Sequence, residues 1–150
     1  MPPETWGPPI WTLFHTLAEK VKEDHFNKIG MELFMKIKQI CQYLPCPDCS
    51  NHANQFLAKV KPETISNKYD FKSMLFFFHN LVNKRKNKKL YNFDNIEVYK
   101  DKNIIQCFNN FINAYTVKGN MKLLADTMQR QHIMNGLKKW LQENIDCFEM

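Results

Sequence analysis

Residues 41–52 read CQYLPCPDCSNH. An apolar stripe stepping by three and four enters this stretch from the amino side: Phe26, Ile29, Leu33, Ile37, Ile40 and Leu44. That period predicts a helix. Pro45 ends it, and Pro47 suits the first turn of a following helix that carries Ala53, Phe56, Leu57 and Val60. The stretch therefore reads as helix, tight connection, helix, with Cys46 and Cys49 at a helix amino terminus. It holds three of the five cysteines and one of the five histidines. Those thiols admit three readings: a structural staple, a zinc site, or the working end of a redox enzyme.

The pattern stays helical on both sides. Ile10, Leu13, Phe14, Leu17 and Val21 mark an earlier helix with Pro8 and Pro9 at its start. After a loop, KPETISNKY, Asp70 is the expected N-cap of a helix with Phe71, Met74, Leu75, Phe78 and Val82 on its apolar side. KRKNKKLYNF closes that helix and leads out of it. Ile104, Ile105, Phe108, Phe111, Ile112 and Tyr115 predict a fifth helix, broken by GN at 119–120. Met121, Leu124, Met128, Leu137 and Leu141 predict a long last one. At 150 residues one domain is expected, and only four glycines argue against a turn-rich β fold. Four core helices with short connections predict an all-α bundle.

The formal net charge is +6 and the pI about 9.0. The excess is mostly lysine and dispersed along the chain, so it gives no expectation of a nucleic-acid partner. No apolar run reaches membrane-spanning length, and MPPETWGPPIWTLFH has neither a basic leader nor an apolar core of secretory type. In a reducing compartment a C-x-x-C is more often catalytic or metal-binding than an inert staple.

Helix-start amides and the positive end of the helix dipole favour thiolate, so C-P-D-C suits disulfide exchange. Zinc would need about four ligands, drawn from Cys46, Cys49, His52 and a distant histidine, and no second C-x-x-C is present. Thioredoxin-like chemistry would need βαβ patterning, which is lacking. Trp11 and His15 are four apart and share a helix face. His79, Val82, Asn83 and Lys86 fall on one stripe, with Lys88 just beyond. Singly, these residues read as core or as a solvated lysine tail. With the dithiol they read as a planar redox cofactor's walls, phosphate contacts and reactive edge.

The ordered set W-x-x-x-H, L-P-C-x-x-C-x-x-H, then H-N-x-V-N with a lysine nine residues after its histidine resembles the Erv/ALR family of FAD-linked sulfhydryl oxidases. The resemblance covers about residues 4–100 and is strongest to the short oxidases of large cytoplasmic DNA viruses. It implies a four-helix bundle with a short fifth helix, usually a homodimer, holding FAD. The family-like core would be residues 1–100, and 101–150 a helical extension without an assigned role. The resemblance implies that Cys46 meets protein thiols and that Cys49 engages the flavin, with O2 taking the electrons as hydrogen peroxide. It implies Trp11, His15, Cys49, His52, His79, Asn80, Val82, Asn83 and Lys88 as FAD neighbours, with Tyr43 and Lys86 behind them. Gly7 would let the first helix approach the cofactor closely. No metal is expected. The implied setting is host cytoplasm at viral assembly sites or the virion, the alternative a mitochondrial intermembrane space. The competing function is a zinc-stabilised helical interaction module using the same cysteines and histidines.

The chain departs from many members in lacking a C-x16-C pair after the fourth helix and an amino-terminal shuttle pair. Cys41 and Cys107 lie among apolar residues and are expected as buried free thiols. Cys147 is expected to be exposed near a mobile chain end. There it is either dispensable or an electron relay, alone or with Cys107.

Overall fold

The computed structural model of the protein describes residues 3–116 and 124–149. Among them the chain folds into six α-helices: α1 (Pro3–Lys20), α2 (Phe26–Gln42), α3 (Pro47–Lys59), α4 (Lys68–Arg85), α5 (Ile104–Tyr115) and α6 (Leu124–Asn144). A run of 3-10 helix, Phe93–Asp101, links α4 to α5. α1 is the hub, contacting α4, α5 and the 3-10 run, while α2 packs on α3 and receives α6. The fold is all-α, and α5 packs on α1 within the same core as α2, α3 and α4. One core joins Leu13 and Leu17 of α1, Leu33 and Ile37 of α2, Leu57, Leu75, Phe111 and Leu137.

The boundaries follow local chemistry, in places against expectation. α1 starts at Pro3, so Pro8 and Pro9 lie inside it. Both prolines fix φ near helical values, and burial of Trp6 ahead of them carries the helix back past them. α2 stops at Gln42, short of Leu44. Leu44 precedes Pro45, and a residue before proline is pushed out of helical φ/ψ.

The cap of α4 is Asn67, not Asp70. The Asn67 side chain accepts the Asp70 N–H at 2.8 Å. Asp70, three residues in, turns back to accept from the N–H and hydroxyl of Ser66 at 3.1 and 2.9 Å. α5 matches its predicted span and is capped by Asn103.

α6 forms, but Met128 is 66% exposed. Its buried face runs through Arg130, Ile133, Met134, Leu137, Trp140 and Leu141, a register Met128 does not share. Met121 and the GN at 119–120 lie outside the described residues. Cys41 and Cys107 are buried free thiols. Cys147 is buried as well, contrary to expectation. Its carbonyl accepts the Lys22 N–H at 2.8 Å, Glu149 N–H donates to the Lys20 carbonyl at 2.7 Å, and Phe148 is buried beside them. This pairing pins the segment to the end of α1. No described helix is long and apolar enough to cross a membrane.

Candidate active site

The dithiol sits where α2 hands over to α3. Cys46 is the N-cap of α3, in extended backbone, and its Sγ accepts the Cys49 N–H at 3.3 Å. The buried Ser50 hydroxyl accepts the Leu44 N–H at 2.8 Å, and Ser50 N–H donates to the Cys46 carbonyl at 3.0 Å. The connection is thus stitched onto the first turn of α3, and both of its thiols are half-buried. Burial pushes the Cys49 thiol up to about 11, helped by its neighbour Cys46 and opposed by Lys86 and Arg85. The expected helix-start preference for thiolate is therefore outweighed at Cys49 by desolvation.

Across the bundle, α1 and α4 build an aromatic stack. The Trp11 and His79 rings lie 4.0 Å apart and 5° from parallel. His15 Nε2 and His79 Nδ1 are 2.9 Å apart, and Tyr99 stacks on His15 at 4.8 Å. Burial, then His79, pulls His15 down to about 3. Burial, then Lys88, pulls His79 down to about 4. Both rings are neutral at pH 7, so the short contact is one N–H donating to the other ring's lone pair.

Asn80 holds the chain after α4. It donates to the Tyr91 carbonyl at 3.0 Å and accepts the Tyr91 N–H at 2.8 Å. Lys88 N–H donates to the Asn83 carbonyl at 2.8 Å, and Asn87 takes positive φ (57°) to make that turn. These bonds fold Lys88 and Tyr91 back over the stack.

Three cavities follow one another through this region. The innermost, about 50 Å³, is lined by Cys49 with Trp6, Gly7, Trp11, Phe78, Val82 and Lys86. The next, about 150 Å³, shares Gly7, Trp11, Val82 and Lys86 with it and adds His79, Asn83, Lys88, Tyr91 and Tyr99. The outermost, about 440 Å³, shares His79, Tyr91 and Tyr99 and adds His15 and Lys89. Gly7 is buried, yet a methyl group there would meet nothing within 4 Å, so its Cα faces open space. Trp6 Nε1, on the innermost wall, is a buried donor without a partner among the described residues. Apolar walls beside a thiol, amide and lysine donors further out, and an unsatisfied N–H fit a flavin dinucleotide.

Gly7, Trp11, His15, Cys49, His79, Val82, Asn83, Lys86 and Lys88 thus come together, and Asn80 supports them. His52 does not join them. It is exposed, its Nδ1 within 2.8 Å of the Asp48 carbonyl, on a groove of about 590 Å³ that shares Phe78, Val82 and Arg85 with the innermost cavity and adds Phe56, Phe77 and Leu81. Tyr43 is the C-cap of α2 and lines none of the three cavities. Among the described residues no three His, Cys, Asp or Glu side chains converge to hold a metal. Tyr91 and Tyr99 also line these cavities without a sequence signal, because the lysine run around Tyr91 and the irregular period of 93–101 resemble a plain exit loop.

A dithiol at the start of α3, facing a Trp–His stack in an α-helical bundle, defines the class. Residues 8–104 match the Erv1 / Alr family, and the chain belongs to that family. The FAD-linked sulfhydryl oxidase of African swine fever virus (isolate Tick/Malawi/Lil 20-1/1983) is 39% identical over 85 residues, covering 57% of this chain and 71% of that protein. Its counterpart from isolate Warthog/Namibia/Wart80/1980 is 38% identical over the same shares. A protein of Invertebrate iridescent virus 6 is 30% identical over 95 residues, 59% of this chain and 85% of its own. No solved structure gives a significant match.

Proposed function

We propose that the protein is an FAD-linked thiol oxidase that forms disulfide bonds in protein substrates. The observation that carries the reading is Cys49 on the wall of the cavity shared with Gly7, Trp11, Val82 and Lys86, with its partner Cys46 at the helix cap. Gly7, Trp11, His79, Val82, Asn83, Lys86 and Lys88 would hold the flavin, with His15 and Asn80 setting the stack and the turn. When bound, FAD supplies a two-electron acceptor that passes the electrons to O2 as hydrogen peroxide. The chain's own part is thiol–disulfide exchange. A substrate thiolate attacks Cys46 Sγ of the Cys46–Cys49 disulfide, and Cys49 leaves as thiolate. The second substrate thiol then attacks the mixed disulfide, releasing substrate disulfide and Cys46. Two electrons and two protons have passed to the pair. Cys49, beside Lys86, is the member that hands them inward.

His52 and Tyr43 stay outside this ligand set in the reading, despite the family resemblance. The reading also takes 1–100 as the oxidase core and 101–150 as its extension, and the protein as a homodimer. It acts in host cytoplasm at viral assembly sites or in the virion.

The test is the purified full chain. It should carry a flavin spectrum and consume oxygen with a small dithiol. Cys49→Ser should keep the flavin and lose oxygen consumption, and Cys46→Ser should lose turnover. A colourless protein, or full activity in either variant, would refute the reading.

A further inference from the structure

The family match ends at residue 104, where α5 begins, so α5 and α6 lie beyond it. Two side chains from these helices reach the carboxyl end of α2, just ahead of Cys46. Tyr115 is fully buried, and its hydroxyl donates to the Ile40 carbonyl at 2.9 Å. Arg130 is 3% exposed; its Nη1 donates to the Tyr43 carbonyl at 3.4 Å and its Nη2 to the Thr127 hydroxyl at 3.3 Å. The guanidinium carbon lies 6.0 Å from the centre of the Tyr115 ring. The last carbonyls of a helix lack partners in their own ladder and form the negative end of its dipole. The Arg130 cation meets that need at Tyr43, and the Tyr115 hydroxyl adds a second donor to the Ile40 carbonyl, which also accepts the Tyr43 N–H at 3.2 Å.

Arg130 is costly where it is. Among the described residues no carboxylate lies within ion-pair distance of it, and its Nε has no partner. An apolar side chain of similar length would fill the space at less cost. What an apolar side chain could not do is hold the Tyr43 carbonyl, three residues before Cys46. On the other side of the same connection Ser50 holds Leu44. The connection is anchored from the α3 side and from the extension.

We infer that Arg130 and Tyr115 are positioning residues for the Cys46–Cys49 pair, bracing the connection from behind so that Cys46 stays where it closes a disulfide with Cys49. The inference rests on the reading of that pair as redox-active. In closing, Cys46 and Cys49 lose two protons and two electrons and form one S–S bond. With oxidised glutathione as acceptor, its S–S bond breaks and two glutathione thiols leave. Holding one thiol beside the other favours the closed form.

The experiment equilibrates the full chain in glutathione buffers with oxygen excluded, so that the pair is not drained to O2, quenches with an alkylating agent and reads the pair by mass, with thermal melts alongside. Arg130→Met should shift the midpoint toward the dithiol by about 3- to 10-fold, as expected for losing a hydrogen bond or two. Tyr115→Phe should shift it less, and Arg130→Lys should restore part of the Arg130→Met loss. Met134→Ala, a buried change on the same helix, should lower the melting temperature and leave the midpoint alone. Wild-type midpoints in the Arg130 and Tyr115 variants would overturn the inference, as would midpoints that track melting temperature across all variants. If Arg130→Met does not fold, Arg130→Lys and Tyr115→Phe decide. A wild-type pair that forms no disulfide in oxidised glutathione would instead remove the thiol-oxidase reading, and this inference with it.

Discussion

Cys49 and the His15–His79 pair owe their protonation to burial before any neighbour. With Cys49 raised to about 11, the reduced protein holds it as a thiol at neutral pH. The thiolate is the nucleophile, so a limiting alkylating agent at pH 7 should mark Cys46 ahead of Cys49. Labelling of Cys49 should climb as pH approaches 10; peptide mass spectra after timed quenching would read both, and early labelling of Cys49 would contradict it. The histidines make a second prediction. Their folded values, about 3 and about 4, lie below the ordinary 6.5. Between about pH 6.5 and 4 the unfolded chain binds protons on these rings that the folded chain does not, so stability rises with pH there. It is complete above pH 6.5 and lost as pH falls. His79→Gln should therefore flatten the melting temperature's dependence on pH between 6.5 and 5, and equal slopes would refute this. Trp11, His15, Cys46 and Cys49 were legible because each pair is fixed by spacing along one helix. Tyr91 was not, because it enters the site through a turn set by Asn80, eleven residues away. His52 shows the converse: the right spacing on α3 puts it on the groove with Phe56, Phe77 and Leu81.

At the scale of the element, hydrophobic period located the helices and local chemistry moved their ends. Leu44 left α2 because of the proline after it, and Asn67 took the cap from Asp70. The 3-10 run at 93–101 was missed because three residues per turn leave no 3.6-residue stripe, and Ile96 alone of its residues is buried. Close packing inside α2 supports a prediction that runs against propensity. An alanine in mid-helix is favoured over glycine by about 1 kcal/mol. At Gly30, however, a methyl group would stand 2.7 Å from the Phe26 ring, itself buried and packed edge-on against Phe71 at 5.8 Å. Displacing a buried ring costs about 1–3 kcal/mol, so overlap outweighs propensity. Gly30→Ala should lower the unfolding free energy by about 1 kcal/mol in urea, the remainder of those two effects. A more stable variant would show that the Phe26 ring moves freely.

The whole molecule decides what the last cysteine can do. A relay thiol must travel between substrate and Cys46, and a sequence ending ENIDCFEM read as mobile enough for that. The fold closes instead: α6 lies on α2, and the segment after it is paired to the end of α1. Cys147 is 4% exposed and Phe148 2%. Sequence could not show this, because Val21 and Phe148 meet only once both helices have packed. Freeing Cys147 would mean breaking two backbone hydrogen bonds and exposing Phe148, a ring whose truncation to alanine costs about 3 kcal/mol. Cys147→Ser should therefore oxidise a small dithiol and a reduced protein substrate at wild-type rates, with a modest loss of thermal stability from a hydroxyl placed in an apolar site. Phe148→Ala should lower the melting temperature far more. Thiol counting gives an independent reading. With the Cys46–Cys49 pair oxidised, the native protein should show no rapidly reacting thiol, and the denatured chain should release Cys41, Cys107 and Cys147 together. Rapid labelling of Cys147 in the native state, or loss of activity toward the protein substrate alone in Cys147→Ser, would make the end of the chain a relay after all.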